Sequence, residues 1–176
     1  MDTSIPSPDS PPPEWPPAPR EQALGDVTAH IAAIDEIVGY ARSRIQVFDT
    51  DMSWGGWSRA ARVDALSRYL RANRHAALDV IVHDTRWLEA ASGRLLSMLR
   101  QFPHAVTIYR TGSEAAGAMD PLVVVDRAHC VHRFHIDQPR GSLVIAQPAA
   151  VKSLAARFDE IWSTGEPGLS STTLGL

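Results

Sequence analysis

The residues best suited to chemistry lie in one stretch, PLVVVDRAHCVHRFH, at positions 121–135. A run of β-branched residues ends at Asp126, and three histidines, two arginines and the chain's single cysteine follow within ten positions. Such a set could bind a metal ion, supply a nucleophile with its base, or belong to two strands of a sheet that carry imidazoles. The spacing of the residues tests these alternatives.

Strand geometry separates the candidate ligands. In a strand over 128–136 the side chains alternate between two faces. His129, Arg133 and His135 then share one face, while Cys130 and His132 lie on the other. A tetrahedral zinc site needs ligands that converge on one point, so we predict no metal site. Apolar neighbours raise a thiol pKa, which predicts that Cys130 is a small core residue and no nucleophile.

The face with His129, Arg133 and His135 leaves two interpretations open. Cationic groups two and four residues apart on one strand form a row that can bind a phosphate or a carboxylate. The same row is also typical of a solvated sheet face or of a hairpin edge.

The elements that must position these residues alternate in hydrophobic period. Helical spacing of apolar residues predicts helices over 26–43, 58–74 and 85–101 and from Pro148 onward. Asp26 and Ser58 are the candidate N-caps of the first two helices. Short apolar runs predict strands over 44–48, 78–83, 105–109, 121–126, 128–135 and 142–146.

This order of elements predicts an α/β fold with a mixed, mainly parallel central sheet and helices on both faces. In open sheets of this kind a ligand binds beyond the carboxyl ends of the parallel strands. The alternative for the tryptophans near those ends is core or interface packing, and for Asp84 and Asp126 it is a helix cap or a turn anchor. The candidate binding residues are Asp49, Asp51, Trp54, Trp57, Asp84, Trp87, Arg110, Asp126, His132, Arg133 and His135.

Composition and the chain ends set the outer limits of the prediction. Residues 1–25 are rich in proline and predict a disordered segment, 26–163 predict the α/β domain, and 164–176 predict a flexible tail. A net charge of −3 without a basic stripe disfavours nucleic acid as a partner, and no apolar run is long enough to cross a membrane. With one cysteine and no secretion signal, we expect a cytoplasmic protein without a cofactor.

Residues 119–162 resemble the C-terminal part of a phospholipase D-type half-domain. In that superfamily a strand carries the pattern H-x-K-x-x-x-x-D, and a later strand leads into a helix that closes with F-x-x-x-W. Here PLVVVD supplies the strand and Asp126 the acidic position, while Phe158 and Trp162 match the close of the helix. The upstream strand–helix units also fit, so the resemblance extends over 26–165.

The same pattern implies that the catalytic pair is missing. Counting back from Asp126, the family's lysine position falls on Pro121 and its nucleophilic histidine position on Met119. Proline offers phosphate no donor and methionine cannot be phosphorylated. Lys152, the only lysine, belongs to the last helix, and the family's downstream Gly-Ser-x-Asn element is absent. The resemblance therefore implies a relative that has lost catalysis.

These observations lead to three functional hypotheses. The first is a non-catalytic phospholipase D-like module that binds an anion or a partner protein; because active single-motif members pair two half-domains, the resemblance implies a homodimer. The second is a repurposed phosphodiesterase in which His132 or His135 attacks phosphorus and Arg133 replaces the lysine. The third is a nucleic-acid-binding protein. A second resemblance, to a bacterial domain family of unknown function sometimes attached to a GNAT-type acetyltransferase, adds an acetyltransferase as a candidate partner.

Overall fold

Eight strands form one open sheet with helices on both of its faces. The computed structural model describes residues 15–90 and 93–169. The strands are β1 (Arg20–Leu24), β2 (Arg44–Asp49), β3 (Ala77–Val82), β4 (Val106–Arg110), β5 (Leu122–Val125), β6 (His129–His135), β7 (Gln138–Ile145) and β8 (Glu166–Leu169). The helices are α1 (Val27–Tyr40), α2 (Ala60–Ala72), α3 (Arg86–Ala90), α4 (Gly93–Gln101) and α5 (Pro148–Ser163), with a short 3-10 helix at Ser113–Ala115.

The sheet is mixed, but most of its strand pairs are antiparallel. Its strand order is β1-β7-β6-β5-β2-β3-β4-β8. Only β2 with β3 and β3 with β4 are parallel among the described strands, and the other five pairs are antiparallel. The predicted mainly parallel sheet is therefore wrong. The reason is that β5, β6 and β7 form a meander with short turns, and both outer strands add further antiparallel pairs.

Two apolar cores lie on the two faces of the sheet. Ile45 and Val47 of β2 point into the core beneath the first four helices, whereas Phe48 points into the core beneath α5. Val151 and Phe158 of α5 fill that second core. The predicted placement of helices on both faces is thus confirmed. Within the described part of the chain, no helix is long and apolar enough to cross a membrane.

Local hydrogen bonds decide where the first helices begin. Asp26 caps α1, because its Oδ1 accepts the N–H of Ala29 at 2.8 Å, and this predicted cap is confirmed. The predicted cap at Ser58 is wrong: the N-cap of α2 is Arg59, which makes no side-chain cap bond. The Arg59 N–H donates to the Gly56 carbonyl at 3.2 Å, so a turn closes just before the helix.

Both outer strands lie outside the expected domain of 26–163. β1 pairs with β7 from Arg20 opposite Ile145 to Leu24 opposite Gly141, and Leu24 is buried. β8 pairs with β4 at the other edge. The expected disordered segment 1–25 and flexible tail 164–176 therefore each contribute a strand to the sheet. The rest of these predictions, at 1–14 and 170–176, falls outside the described residues.

Candidate functional site

A hollow of about 210 Å³ opens where β2 ends, next to the turn that follows β6. We call it the hollow. Its lining is formed by Asp49, Thr50, Asp51, Ser53, Trp54, Arg133 and Ile136. Beneath it lies a small cavity of about 20 Å³ that shares Asp49, Trp54 and Arg133 with the hollow and also touches Pro121. The hollow therefore brings together four predicted candidates at the carboxyl end of β2: Asp49, Asp51, Trp54 and Arg133.

Arg133 brings a buried cation to the hollow. The residue is only 8% exposed. Its Nε donates to the Gln138 carbonyl at 2.8 Å and its Nη2 donates to the Ile136 carbonyl, while its Cζ lies 3.7 Å from the centre of the Trp54 ring. Burial lowers the pKa of Arg133, but an arginine remains charged in proteins. The turn between β6 and β7 therefore holds the guanidinium in a fixed orientation.

Asp49, the last residue of β2, brings a buried carboxyl group to the same place. It is 6% exposed, its Oδ1 accepts the N–H of Thr50 at 2.7 Å, and the Trp57 indole donates to its side chain. Burial raises the pKa of Asp49 to about 6; the charge of Asp51 also raises it, and Arg133 opposes the shift. A group of this kind exchanges a proton near neutral pH.

Arg62 fixes the loop between β2 and α2 that carries the tryptophans. Its side chain is fully buried and donates to the Gly55 carbonyl, to the Ile31 carbonyl at 2.8 Å and to Asp35 Oδ1 at 2.8 Å. Its Cζ also lies 5.0 Å from the centre of the Trp57 ring. A side chain at position 55 would reach the Trp57 Nε1 at 2.7 Å, so the loop needs a glycine there.

His30 on α1 is a member of this site that the sequence analysis missed. It is 1% exposed, its Nε2 lies 2.8 Å from the Pro139 carbonyl, and its ring meets Trp54 edge-on at 5.0 Å. Burial lowers the pKa of His30, with a further contribution from the charge of Arg133. Because a carbonyl only accepts, Nε2 donates, and Nδ1 is buried without a hydrogen-bond partner in the described structure. The helical spacing of His30 to Ala33 and Ile34 could have identified it as inward-facing.

Three further candidates lie at the same end of the sheet but serve other contacts. Asp84 pairs with the Arg86 guanidinium and accepts the Arg86 N–H at 2.9 Å, and these bonds lower its pKa to about 2. Trp87 packs against the core beneath α1, α2 and α4. Arg110 lies 3.6 Å from Glu166 of β8. None of the three lines the hollow.

Asp126 lies at the opposite end of the strands, where it anchors the turn that precedes β2. Its carboxylate accepts the N–H groups of Arg42, Ser43 and Arg44 at 2.7, 2.9 and 2.7 Å and the Ser43 hydroxyl at 2.7 Å. Burial opposes its ionisation, but these bonds outweigh burial and lower its pKa. Asp126 is therefore no part of the hollow, and the interpretation as a turn anchor describes its place.

The other residues of 128–135 are spread over both faces and both ends of β6. His129 lies at the far end, where its Nδ1 accepts the Ala146 N–H at 3.0 Å. His135 lies beyond an irregularity in the β6–β7 pairing, with its Nδ1 3.5 Å from Asp137. On the opposite face His132 lies 3.9 Å from Asp120, and burial raises the pKa of Cys130 to about 12. The row of His129, Arg133 and His135 is therefore not one binding site.

Metal ligands do not cluster in the structure. Among residues 15–90 and 93–169, no group of three or more histidine, cysteine, aspartate or glutamate side chains could hold a metal ion.

The fold is similar to that of solved phospholipase D family structures. Nuc from Salmonella typhimurium, a phospholipase D family member, has a TM-score of 0.60 at 10% identity, with 87% of this chain and 100% of that chain covered. NucT from Helicobacter pylori has a TM-score of 0.57 at 7% identity, with coverages of 86% and 100%. These identities show the fold alone, and they confirm the predicted phospholipase D-like fold.

Three other findings come from the comparisons. The archaeal chromatin protein TrmBL2, described as having a novel mode of DNA binding, has a TM-score of 0.63 at 10% identity over 85% of this chain. This chain spans about half of that protein, covering 54% of it. Residues 26–171 match the model of a family described as a domain of unknown function, DUF7931. No curated protein sequence matches the chain.

Proposed function

Because the chain belongs to the DUF7931 family of domains of unknown function, its family brings no established activity, and we propose one from the site. The domain is a non-catalytic binding module of phospholipase D-like fold that holds a small anion in the hollow. The observation that carries this proposal is the guanidinium of Arg133. It is buried at the hollow, and among the described residues no carboxylate lies within 4.0 Å of it.

A buried cation is costly unless it is paired. Asp49 and Asp137 attract the Arg133 guanidinium without direct contact, and an oxyanion in contact with it reduces the remaining cost. Two of the guanidinium's donor groups are directed to the carbonyls of Gln138 and Ile136. Arginine has five N–H donors in a planar fork, so others remain for a bidentate contact with phosphate or carboxylate. The volume of about 210 Å³ is below the roughly 300–1,000 Å³ of drug-sized pockets, which favours a small anionic group.

The placement of the histidines supports binding without turnover. The phosphodiesterase considered above needs His132 or His135 beside Arg133. His132 projects from the opposite face of β6, and His135 lies in the exposed end of the strand near Asp137. Met119 and Pro121, at the positions where the resemblance places the catalytic pair, precede β5 at this same end of the sheet.

The two carboxyl groups of the hollow make the proposed binding dependent on pH. Asp49 and Asp51 line the hollow, and their negative charges oppose an anion. Burial raises the pKa of Asp49 to about 6, and an anion bound beside it raises that pKa further. Binding then takes up a proton, so the affinity is expected to rise as the pH falls from about 8 to about 6.

Calorimetric titration of the full chain with inorganic phosphate, and in parallel with sulfate, whose charge does not change over this pH range, tests this function. We expect tighter binding at about pH 6 than at about pH 8, and a loss of affinity of about tenfold or more in the Arg133→Gln variant. Arg140→Gln is the matched control, because Arg140 is an exposed arginine of the neighbouring strand β7. Arg133→Lys, which keeps the charge without the planar fork, is expected to bind with intermediate affinity if the fold is retained by circular dichroism.

Three results would contradict the proposal. The first is no phosphate binding by the unchanged chain, and the second is equal loss of affinity in the Arg133 and Arg140 variants. The third is turnover of a chromogenic phosphodiester that disappears in His132→Ala or His135→Ala, which would favour the phosphodiesterase. A homodimer, an acetyltransferase partner and a cytoplasmic location stay predictions. DNA binding is described for TrmBL2, and for this chain the net charge of −3 disfavours it.

A further inference from the structure

The hollow is lined by opposite charges that come from different elements. The end of β2 and the loop after it contribute Asp49 and Asp51, whereas the end of β6 and the turn after it contribute Arg133 and Ile136. In the sheet, β5 lies between β2 and β6. Neighbouring strands are about 4.8 Å apart, so the backbones that carry Asp49 and Arg133 are roughly 10 Å apart. The carboxylates and the guanidinium therefore reach the same space from two separate supports.

Asp51 is the carboxylate that remains available to a ligand. Its Oδ1 accepts the N–H of Ser53 at 2.9 Å and the Ser53 hydroxyl at 2.7 Å. Among residues 15–90 and 93–169, no arginine, lysine or histidine nitrogen lies within 4.0 Å of this carboxylate. The side chain is half-buried at the hollow. Asp51 can therefore accept a positively charged group of a ligand.

Asp49 adds a second negative charge on the same side of the hollow. It is 6% exposed, and the charge of Asp51 is close enough to raise its pKa. Arg133 attracts Asp49 without direct contact. At about pH 8, above the pKa of Asp49 of about 6, the side formed by β2 carries two negative charges opposite one guanidinium.

Neither a simple anion nor a simple cation satisfies all of these charges. An anion gains the contact with Arg133 but is repelled by both carboxylates, and a cation meets the opposite combination. A zwitterion places each of its charges beside the opposite charge of the protein. We infer that the ligand of the hollow is a small zwitterion, whose oxyanion contacts Arg133 and whose ammonium group contacts Asp51. This inference rests on the function proposed above, from which it takes the anion on Arg133.

The size and the apolar lining of the hollow limit the part of the ligand that joins the two charges. The volume of about 210 Å³ lies below the roughly 300–1,000 Å³ of drug-sized pockets. Trp54 and Ile136 supply apolar surface between the charged groups, which suits a few methylene groups. The ligand class is therefore that of short amino acids, with a carboxylate or a sulfonate as the oxyanion.

Calorimetric titration of the full chain with taurine and with isethionate tests this inference. The two probes share an ethylsulfonate skeleton and differ at one group, which is an ammonium in taurine and a hydroxyl in isethionate. The sulfonate stays ionised and an alkylammonium stays charged at about pH 8. We expect taurine to bind at least about tenfold more tightly than isethionate at this pH.

Asp51→Asn tests which carboxylate holds the ammonium group. Asparagine keeps an oxygen that can accept the Ser53 N–H, and binding of isethionate by this variant reports that the hollow is intact. The affinity of the variant for taurine should fall to its affinity for isethionate. Asp137→Asn is the matched control, because Asp137 also attracts Arg133 but is exposed and does not line the hollow. The preference for taurine should remain in that variant.

The results separate this inference from the function on which it rests. Equal affinities of the unchanged chain for taurine and isethionate overturn the inference, while sulfate binding that depends on Arg133 still supports the anion-binding function. A preference for taurine that survives Asp51→Asn, or that is lost equally in Asp137→Asn, also overturns the inference. If the unchanged chain binds neither probe and no sulfate, the proposed function fails together with the inference.

Discussion

Trp54 brings the charged groups of the hollow together. The Arg133 guanidinium lies on its ring at 3.7 Å, and the His30 ring meets it edge-on at 5.0 Å. A cation on an indole face contributes on the order of 0.5–2 kcal/mol. Trp54 therefore packs against side chains of the protein inside a polar site. This agrees with the packing interpretation of the tryptophans.

Replacing Asp49 with asparagine is expected to stabilise the protein at neutral and higher pH. The folded-state pKa of Asp49, about 6, lies above its ordinary value of 3.8. The stability that Asp49 contributes is therefore complete below pH 3.8 and is lost as the pH rises to about 6. Asparagine carries no charge, so Asp49→Asn should gain up to about 3 kcal/mol over the unchanged chain at about pH 8 and little at about pH 4.

Urea unfolding across this pH range provides the measurement. Burial lowers the pKa values of His30, His129 and His132, so these histidines destabilise the fold as the pH falls below 6.5. The quantity to compare is therefore the difference between variant and parent at each pH, in which the histidine contributions cancel. A difference that does not change with pH would contradict the ionisation of a buried Asp49.

At the scale of elements, the β2–α2 loop depends on one arginine. Arg62 is fully buried and donates to two backbone carbonyls as well as to Asp35. Without it, the Gly55 and Ile31 carbonyls lose their partner inside the protein, and unsatisfied buried acceptors are costly. The loop that carries Trp54 and Trp57 would then lose the hydrogen bond from α2 to Gly55 that helps to fix it.

Arg62→Met is expected to destabilise the protein by about 3 kcal/mol, because it removes one partner of a buried charge network. Arg59→Met is the matched control, since Arg59 pairs with the same Asp35 carboxylate at 2.9 Å but is 51% exposed. A surface pair of this kind contributes less than about 1 kcal/mol. Chemical denaturation compares the two variants, and equal losses would show that burial of Arg62 is unimportant.

The sequence predicts the interior elements well because burial imposes an apolar period on them. Helices α1, α2 and α5 and strands β2 to β6 lie close to their predicted ranges. The outer strand REQAL is exposed along most of its length and EPGL contains no fully buried residue. Backbone pairing alone imposes no side-chain pattern on such strands.

The candidate residues at the end of β2 were predictable because β2 belongs to the parallel part of the sheet. Asp49, Asp51 and Trp54 follow the parallel strand β2, so the rule about carboxyl ends places them correctly. Asp126 directly follows β5, which runs antiparallel to β2. The carboxyl end of β5 therefore lies at the opposite end of the strands from the hollow. Arg62 could not be identified, because its contacts depend on how α2 packs on α1 and on the loop, which a helical period does not specify.

At the scale of the whole molecule, the two ends of the strands carry different charged side chains. The hollow carries two carboxyl groups and one guanidinium, whereas Arg42, Arg71 and Arg74 are exposed at the other end of the strands. A small net charge of −3 therefore conceals a separation of charge between the two ends.

A chain that begins at residue 26 is expected to be much less stable than one that begins at residue 15. The shorter chain lacks β1, so β7 loses a whole ladder of backbone pairs and its edge is exposed. It also loses buried Leu24, and together we expect a loss of at least about 3 kcal/mol. The chain from residue 15 should stay within about 0.5 kcal/mol of the full chain.

Thermal unfolding measured for both truncated chains distinguishes these outcomes. If the chain from residue 26 unfolds at the same temperature as the full chain, β1 contributes no stability, and the domain boundary expected from the sequence would be adequate.

The glycine at position 55 has an evolutionary consequence. Any larger residue there displaces the indole of Trp57, and the indole is in turn a donor to Asp49. Descendants of a common ancestor cannot alter one of these three positions freely without disturbing the other two. In relatives that have replaced this glycine, we expect the tryptophan and the aspartate to have been replaced as well, and with them the acid–base character of the site.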